Sequence, residues 1–462
     1  MLKHSSILRT GCIALALLFP VTGRAQDEDE PKKSYIIPAV EILGFDVALN
    51  RFGYRYVDRE AFNIGWKSIS RNLKRGWVVD HDEFKTNQFL HPYQGSISHT
   101  AARSAGLGFW TSAAYTFAGS ALWEIAGETT APSINDQIAS GIGGVFFGES
   151  LFRMANLTLE KGNGIPHLGR ALGATIISPA TAFNRVVFGH RFDPIFPGHE
   201  PAFFTQGNFG AIVAEDRVEG PSRSPRRNEA TLGFSMAYGM PGKPDYSYQR
   251  PFDYFNFEFT ATTHNFFENI MTRGLVKGKR YSAGDTYRGV WGLYGSYDYM
   301  APQVFRVSST ALSVGTTAQW RLPGPLQLEG TALGGAGYGA GGTVDGSGSD
   351  KDYHYGLTPQ ALLATRLVLG RFASLDVTGR GYQITRFLSS DNRGFENIGR
   401  ADAALTVRVI GRHALSVKYL VTRRYAHYPD LGIRNQRRGT LSVYYTLLGD
   451  KGFGMTDWHS AP

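Results

Sequence analysis

The chain has 462 residues, a formal net charge of +9 and a single cysteine, Cys12. That length leaves room for two or three domains. Cys12 lies inside an N-terminal apolar run, so a chain processed after that run has no thiol, which excludes disulfides, thiolate catalysis and cysteine-ligated metals.

The opening "MLKHSSILRTGCIALALLFPVTGRAQ" places Lys3, His4 and Arg9 before the apolar run Cys12 to Val21. It reads as a secretory signal peptide over residues 1–25, cleaved after Ala25. Behind it come 23 tyrosines, 30 phenylalanines and 56 glycines. A secreted, aromatic and glycine-rich chain without cysteine suggests a bacterial envelope protein. Its basic surplus then fits anionic lipid head groups rather than nucleic acid.

Residues 26–55, starting with "DEDEPKK", read as a linker, and residues 56–200 as a helical domain. Tyr56 to Arg75 suggests a helix with Phe62, Trp66, Ile69 and Leu73 towards a core. Three apolar segments follow, Gly106 to Ala126, Ser133 to Met154 and Arg170 to Phe188. They are rich in Gly, Ala, Ser and Thr, so they read as close-packed helices and not as membrane spans.

A polar constellation runs through this domain. "WVVDHDEFKTNQFLHPYQG" offers Asp80, His81, Asp82, Asn87 and His91. Arg103, Glu124, Glu128, Asp136, Glu149 and Arg153 follow. Glu124 and Glu128 are four apart, which puts them on one helix face. Two such carboxylates repel unless a proton or a cation sits between them. His91, Arg103, Arg153 or a hard metal ion are the candidates. A raised pKa on one acid would suit a general acid or base. Hence His91, Glu124 and Glu128 are the candidate catalytic residues, and Asn87, Arg103, Asp136, Glu149 and Arg153 the candidate binding residues. "PSIND" has a second reading, a helix start capped by Ser133 and answered by Asp136. Glu149 and Arg153, again four apart, can pair. No HExxH, GxSxG or Ser-His-Asp spacing is present. No cofactor and no particular metal is assigned.

From about Phe203 the apolar period becomes two. "FNFEFTA" sets Phe255, Phe257 and Phe259 against Asn256, Glu258 and Thr260, and "LSVKYLV" sets Leu415, Val417, Tyr419 and Val421 against Ser416 and Lys418. Alternation of this kind means strands with one apolar face. Tight turns such as Gly411-Arg412 and "LPGP" alternate with longer connections such as "YPDLGIRNQ" and "GAGGTVDGSGSDKD". That rhythm fits a transmembrane antiparallel barrel with short periplasmic turns. Counting back from Arg437 to Leu448 reaches about twelve strands, with "AFFTQGNFGAIVA" as the first. The barrel is expected over residues 201–449 and a tail over 450–462. "GGAGYGAGG" lacks the lysine and helix of a phosphate-binding loop and reads as a flexible loop.

"TNQFLHPYQG", "AARSAGLGFW", "SALWEIAGE", "PSINDQI" and "GGVFFGE" together resemble a bacterial domain-of-unknown-function family of outer-membrane-associated proteins, over roughly Trp77 to Arg153. The resemblance implies an envelope location. A weaker likeness is to VanZ-like proteins, in which Asp82, His91, Glu124, Ser133, Asp136 and Gly144 would fill the places of an acid, a histidine, an acidic helix end, a serine, an aspartate and a glycine. It turns the expected ligand towards lipid or glycan head groups.

The expected fold is therefore α+β, an N-terminal helical domain and a barrel, in the bacterial outer membrane with the helices periplasmic or in the lumen. The expected partners are outer-membrane lipids and, during biogenesis, the barrel-assembly machinery. The expected function is handling of lipid or another amphiphile. The alternatives are an envelope hydrolase or acyl-transfer enzyme and a narrow channel.

Overall fold

The computed structural model describes residues 33–160, 168–189, 192, 201–218, 229–343, 351, 353–385, 394–428 and 432–456. The signal peptide expected over residues 1–25 lies outside them. The chain divides into two compact units. One holds helices. The other is a closed barrel that also includes residues 79–92.

The helical unit begins earlier than expected. Residues 36–55, read as part of a linker, belong to α1 (Ile36–Tyr56). Ile36, Val40, Leu43 and Val47 recur at helical spacing, a signal masked by the charges just upstream. The helix expected from Tyr56 is shorter, α2 (Trp66–Lys74), because Asp58 bonds the backbone N–H groups of Glu60 and Ala61 and turns the chain first. Then come α3 (His91–Ser104) and α4 (Phe109–Ala126). The expected Ser133 helix is α5 (Ile134–Ile138), a π-helical turn Ala139–Gly143 and α6 (Gly144–Glu160) in succession. The last apolar segment is two helices, α7 (Leu168–Ile177) and α8 (Pro179–Phe188), broken by Pro179.

Small residues set how closely these helices pack. A Cβ on Gly95 of α3 would stand 2.0 Å from the Ser140 carbonyl oxygen, and one on Gly144 would stand 2.7 Å from the Gly95 Cα. Backbone touches backbone there, which only glycine permits.

The barrel has twelve antiparallel strands: β1 (Phe203–Val218), β2 (Glu229–Tyr238), β3 (Phe255–Thr262), β4 (Asn269–Ala283), β5 (Tyr287–Met300), β6 (Phe305–Arg321), β7 (Leu326–Thr343), β8 (Tyr353–Leu369), β9 (Ala373–Thr385), β10 (Phe395–Ile410), β11 (His413–Tyr428) and β12 (Gly432–Leu448). Each pairs with its sequence neighbour, and β1 pairs with β12 to close the ring. An even, closed set leaves no unpaired edge, the condition for a sheet in a membrane. Two connections read as long are shorter. Arg434 to Gln436 belong to β12, and the glycines of "GGAGYGAGG" belong to β7 instead of a loop. The β7 glycines are needed by the sheet: a Cβ on Gly337 would stand 2.1 Å from the Thr310 carbonyl oxygen of β6.

Inward and outward faces follow from the pairing. Asp298 and Tyr382 bond each other across the ring, so their parity points inward, while Trp291, Leu363, Val417 and Tyr445 point out and are exposed. The lumen is filled. Arg380 on β9 bonds Glu258 on β3, half-way round the ring, and lies 3.5 Å from Asp298. Arg438 meets Glu215, Glu229 and Glu268, and Arg424 meets Glu396 and Gln436. Phe204, Met240, Leu448 and Phe453 form an apolar cluster at the end that holds the β8–β9 and β10–β11 turns. Phe453 brings the start of the expected tail into the barrel. Met271, Met300, Val304, Phe305, Ile384 and Ile398 form another cluster towards the opposite end.

Residues 79–92 lie on the outer wall and do not plug the lumen. Tyr297 and Tyr299 point outward, yet are at most 3 % exposed. Phe84 and Phe89 pack on Tyr299, and the Tyr297 hydroxyl donates to the Gln88 carbonyl at 2.6 Å.

Gly337→Leu is expected to abolish the folded, heat-modifiable band on a gel, whereas Gly330→Ala, whose Cβ meets open space, is expected to keep it.

Candidate functional site

Within the helical unit, α3 and α6 hold a buried ionic cluster. Glu149 of α6 is fully buried. It accepts from Arg103 Nε at 2.7 Å and Nη2 at 3.0 Å, from Arg153 Nε at 2.9 Å, and lies 3.1 Å from His99 Nε2. Burial alone would push the Glu149 carboxyl up. The Arg103 charge, the His99 hydrogen bond and the Arg153 charge outweigh it and hold the carboxyl well below the usual range. Burial pushes His99 down, towards the neutral imidazole. Arg103 Nη1 also donates to the Leu107 carbonyl, which fixes the α3–α4 turn. Four of the polar side chains here are thus spent on each other. Arg103 and Arg153, proposed from spacing as partners of Glu124 and Glu128, instead serve Glu149. His99 is the member that sequence reasoning missed; its place four residues before Arg103 was the available signal.

Glu124 and Glu128 separate. Helix α4 ends at Ala126 with Gly127 as its C-cap, so Glu128 has left the helix face. It accepts from the Trp123 indole at 3.0 Å and from the Thr130 hydroxyl. Glu124 is buried and accepts the Ser133 backbone N–H at 2.9 Å. Ser133 caps α5 by accepting the Asp136 N–H, and its hydroxyl donates to Asn135 Oδ1. Asp136 is buried too and accepts from Asn135 Nδ2. The capping turn therefore brings a carboxylate oxygen of Asp136 within 4.8 Å of one of Glu124. Two buried carboxylates so close repel unless neighbouring groups offset their charge. The Ser133 hydroxyl is engaged in the cap and is not poised as a nucleophile.

Asn87 belongs to the barrel unit. Its Nδ2 donates to Asp80 at 2.6 Å and to the hydroxyls of Tyr353 and Tyr355 at 3.0 and 3.2 Å. It fastens the 79–92 stretch to the wall. His91 is buried at the first residue of α3 and falls with the same unit.

Two further acids come from α1, in the stretch read as a linker. Burial pushes Glu41 and Asp46 up to about 7, against the pull of hydrogen bonds from Asn184 and Gln94. The same helix exposes an apolar stripe, Ile36, Val40, Leu43 and Val47, each 49–75 % exposed. Leu168, Leu172 and Ile176 form a second stripe on α7. No described helix is long and apolar enough to cross a membrane.

Residues 76–180 match the profile of a domain of unknown function, DUF3943. The profile covers α3 to α7 and both carboxylate clusters. No curated protein matches. Among solved structures, the β-domain of the Bordetella autotransporter BrkA covers 54 % of this chain and 99 % of its own, at 10 % identity and a TM-score of 0.23. The translocator domain of the autotransporter NalP from Neisseria meningitidis covers 59 % and 99 %, at 15 % identity and a TM-score of 0.20. Salmonella typhi OmpF, in complex with daunomycin, covers 54 % and 98 %, at 7 % identity and a TM-score of 0.20. All three are barrel proteins of the bacterial envelope. The outer-membrane-type barrel of this chain rests on its own closed strand order.

The raised carboxyls predict a pH dependence. Between about pH 4, where these acids titrate when unfolded, and about pH 7, the folded unit holds more protons than the unfolded chain. Stability therefore falls as pH rises through that window and levels off above it. Asp46→Asn is expected to match the wild type at pH 4 and to melt higher at pH 8, by circular dichroism.

Proposed function

We propose that this chain is an outer-membrane protein that handles a lipid or another amphiphile, with its helical unit at the membrane surface and its barrel as anchor. The observation that carries this reading is the pair of unpartnered apolar stripes on α1 and α7. Apolar stripes on helices too short or too polar to span a bilayer suit the interface plane. The filled lumen argues against a diffusion pore. Arg380 and Glu258 join opposite strands, and apolar clusters lie towards both ends.

A second reading has one observation of its own. Glu124 and Asp136 bring two buried carboxylates together at a capping turn. The pair would hold a proton or a cation for acid–base chemistry on such an amphiphile.

The test is an envelope lipid profile of wild type, a deletion strain and two variants. The deletion is expected to change at least one lipid species. Val40→Asp with Val47→Asp is expected to reproduce that change while the heat-modifiable barrel persists. Each valine withdrawn from an apolar phase is worth about 1.5 kcal/mol, so membrane association of the helical unit should fall roughly 100-fold. Reproduction of the deletion by Glu124→Gln alone would place the chemistry at the carboxylate pair. An identical lipid profile in the deletion strain would remove the reading altogether.

A further inference from the structure

The outer wall of the barrel carries a groove that the lumen and the helical unit do not explain. It has a volume of about 780 Å³ and runs across β7 to β12. Its floor is a single row of the sheet. Ala361 pairs with Gly381, Gly381 with Gly399, and Gly399 with Arg423. All four alternate with inward residues, Tyr382, Ile398 and Arg424 among them, so they face out. The next row towards the loop-rich end is polar. Gln383 pairs with Asn397, Asn397 with Tyr425, and Tyr425 with Asn435. The rows on the other side are apolar, with Leu363, Val377, Leu405 and Val417 exposed.

Charge decides what fits. Arg423 is exposed at the end of the floor and has no carboxylate partner among the described residues. Along β11 it is the first polar outward residue after Leu415, Val417, Tyr419 and Val421. That places a guanidinium at the border of the apolar band, at head-group depth. A guanidinium with a planar fork of donors is suited to phosphate. Gln383 and Asn397 add amide donors along one side.

The floor itself points to an occupant outside the chain. Glycine within a strand costs stability and is usually kept where a neighbour comes close. A Cβ on Gly381 or Gly399 would meet nothing within 4 Å, in contrast to Gly337 of β7, which touches β6. No part of the described chain needs these two positions bare.

We infer that this groove binds the phosphate-bearing head group of an anionic membrane lipid. The phosphate pairs with Arg423, the amides of Gln383 and Asn397 donate to head-group oxygens, and the acyl chains run along the apolar rows. The inference concerns the barrel wall and stands independently of what the helical unit does.

The full chain, purified in mixed micelles, is tested by native mass spectrometry with phosphatidylglycerol, phosphatidylcholine or inorganic phosphate as the probe. The wild type is expected to retain phosphatidylglycerol in preference to phosphatidylcholine. Arg423→Gln is expected to lower that retention roughly fivefold, the worth of one arginine at an anionic surface. Arg371→Gln, at the short-turn end, is the control and is expected to leave it unchanged. Gly399→Leu, which fills the floor, is expected to act like Arg423→Gln, with heat-modifiable mobility verifying the fold. Should Gly399→Leu not fold, Arg423→Gln against Arg371→Gln decides alone. Equal loss in both arginine variants would show a diffuse charge effect and overturn the site. Displacement of phosphatidylglycerol by equimolar inorganic phosphate would assign the arginine to a free anion and overturn the lipid.

Discussion

Arg380 reaches across the barrel to Glu258 on the strand half-way round the ring, and it lies beside Asp298 on the way. A twelve-stranded ring encloses more space than its own inward side chains fill when they are apolar and small. Here the space is taken by charged groups that are long enough to meet in the middle. Taking such groups out of water is costly, and the cost is offset only where each charge finds its partner with good geometry. The lumen accordingly carries its arginines and acids in sets: Arg380 with Glu258 and Asp298, Arg424 with Glu396, Arg438 with three glutamates. Ring closure, strand register and the filled lumen depend on one another, because a one-residue slip would turn a whole set towards lipid.

The helical unit solves a similar problem differently. Its helices approach until backbones touch at Gly95 and Gly144, and the polar groups trapped by that approach are tied off around Glu149. The Glu124–Asp136 pair is held by a capping turn, and the stripes on α1 and α7 have no cover among the described residues.

The barrel was legible because its signal is a strict period of two repeated over many strands, and the tight turns kept the count. Where the reading failed, glycine was the reason. "GGAGYGAGG" looks like a loop by composition, but close approach to β6 makes it a strand. The candidate site was legible as a list of polar residues and not as a set of pairings. Four-residue spacing correctly put Glu149 beside Arg153, but it also put Glu128 on a helix that ends two residues earlier at a glycine cap. Which arginine serves which acid is a property of helix packing, and no spacing within one helix carries it. Glu41 and Asp46 escaped notice because a charged opening hid the helix they sit on. The outward groove at Gly381 and Gly399 depends on cross-strand register, which a single strand's pattern does not contain.

The barrel's lumen is closed by its own side chains. Planar-bilayer recording of the folded, full-length protein tests that directly. A lumen filled in this way is expected to pass no steady single-channel current, and discrete open channels are expected only when Arg380 and Arg438 are both replaced by alanine. A stable open current from the wild-type protein would contradict it.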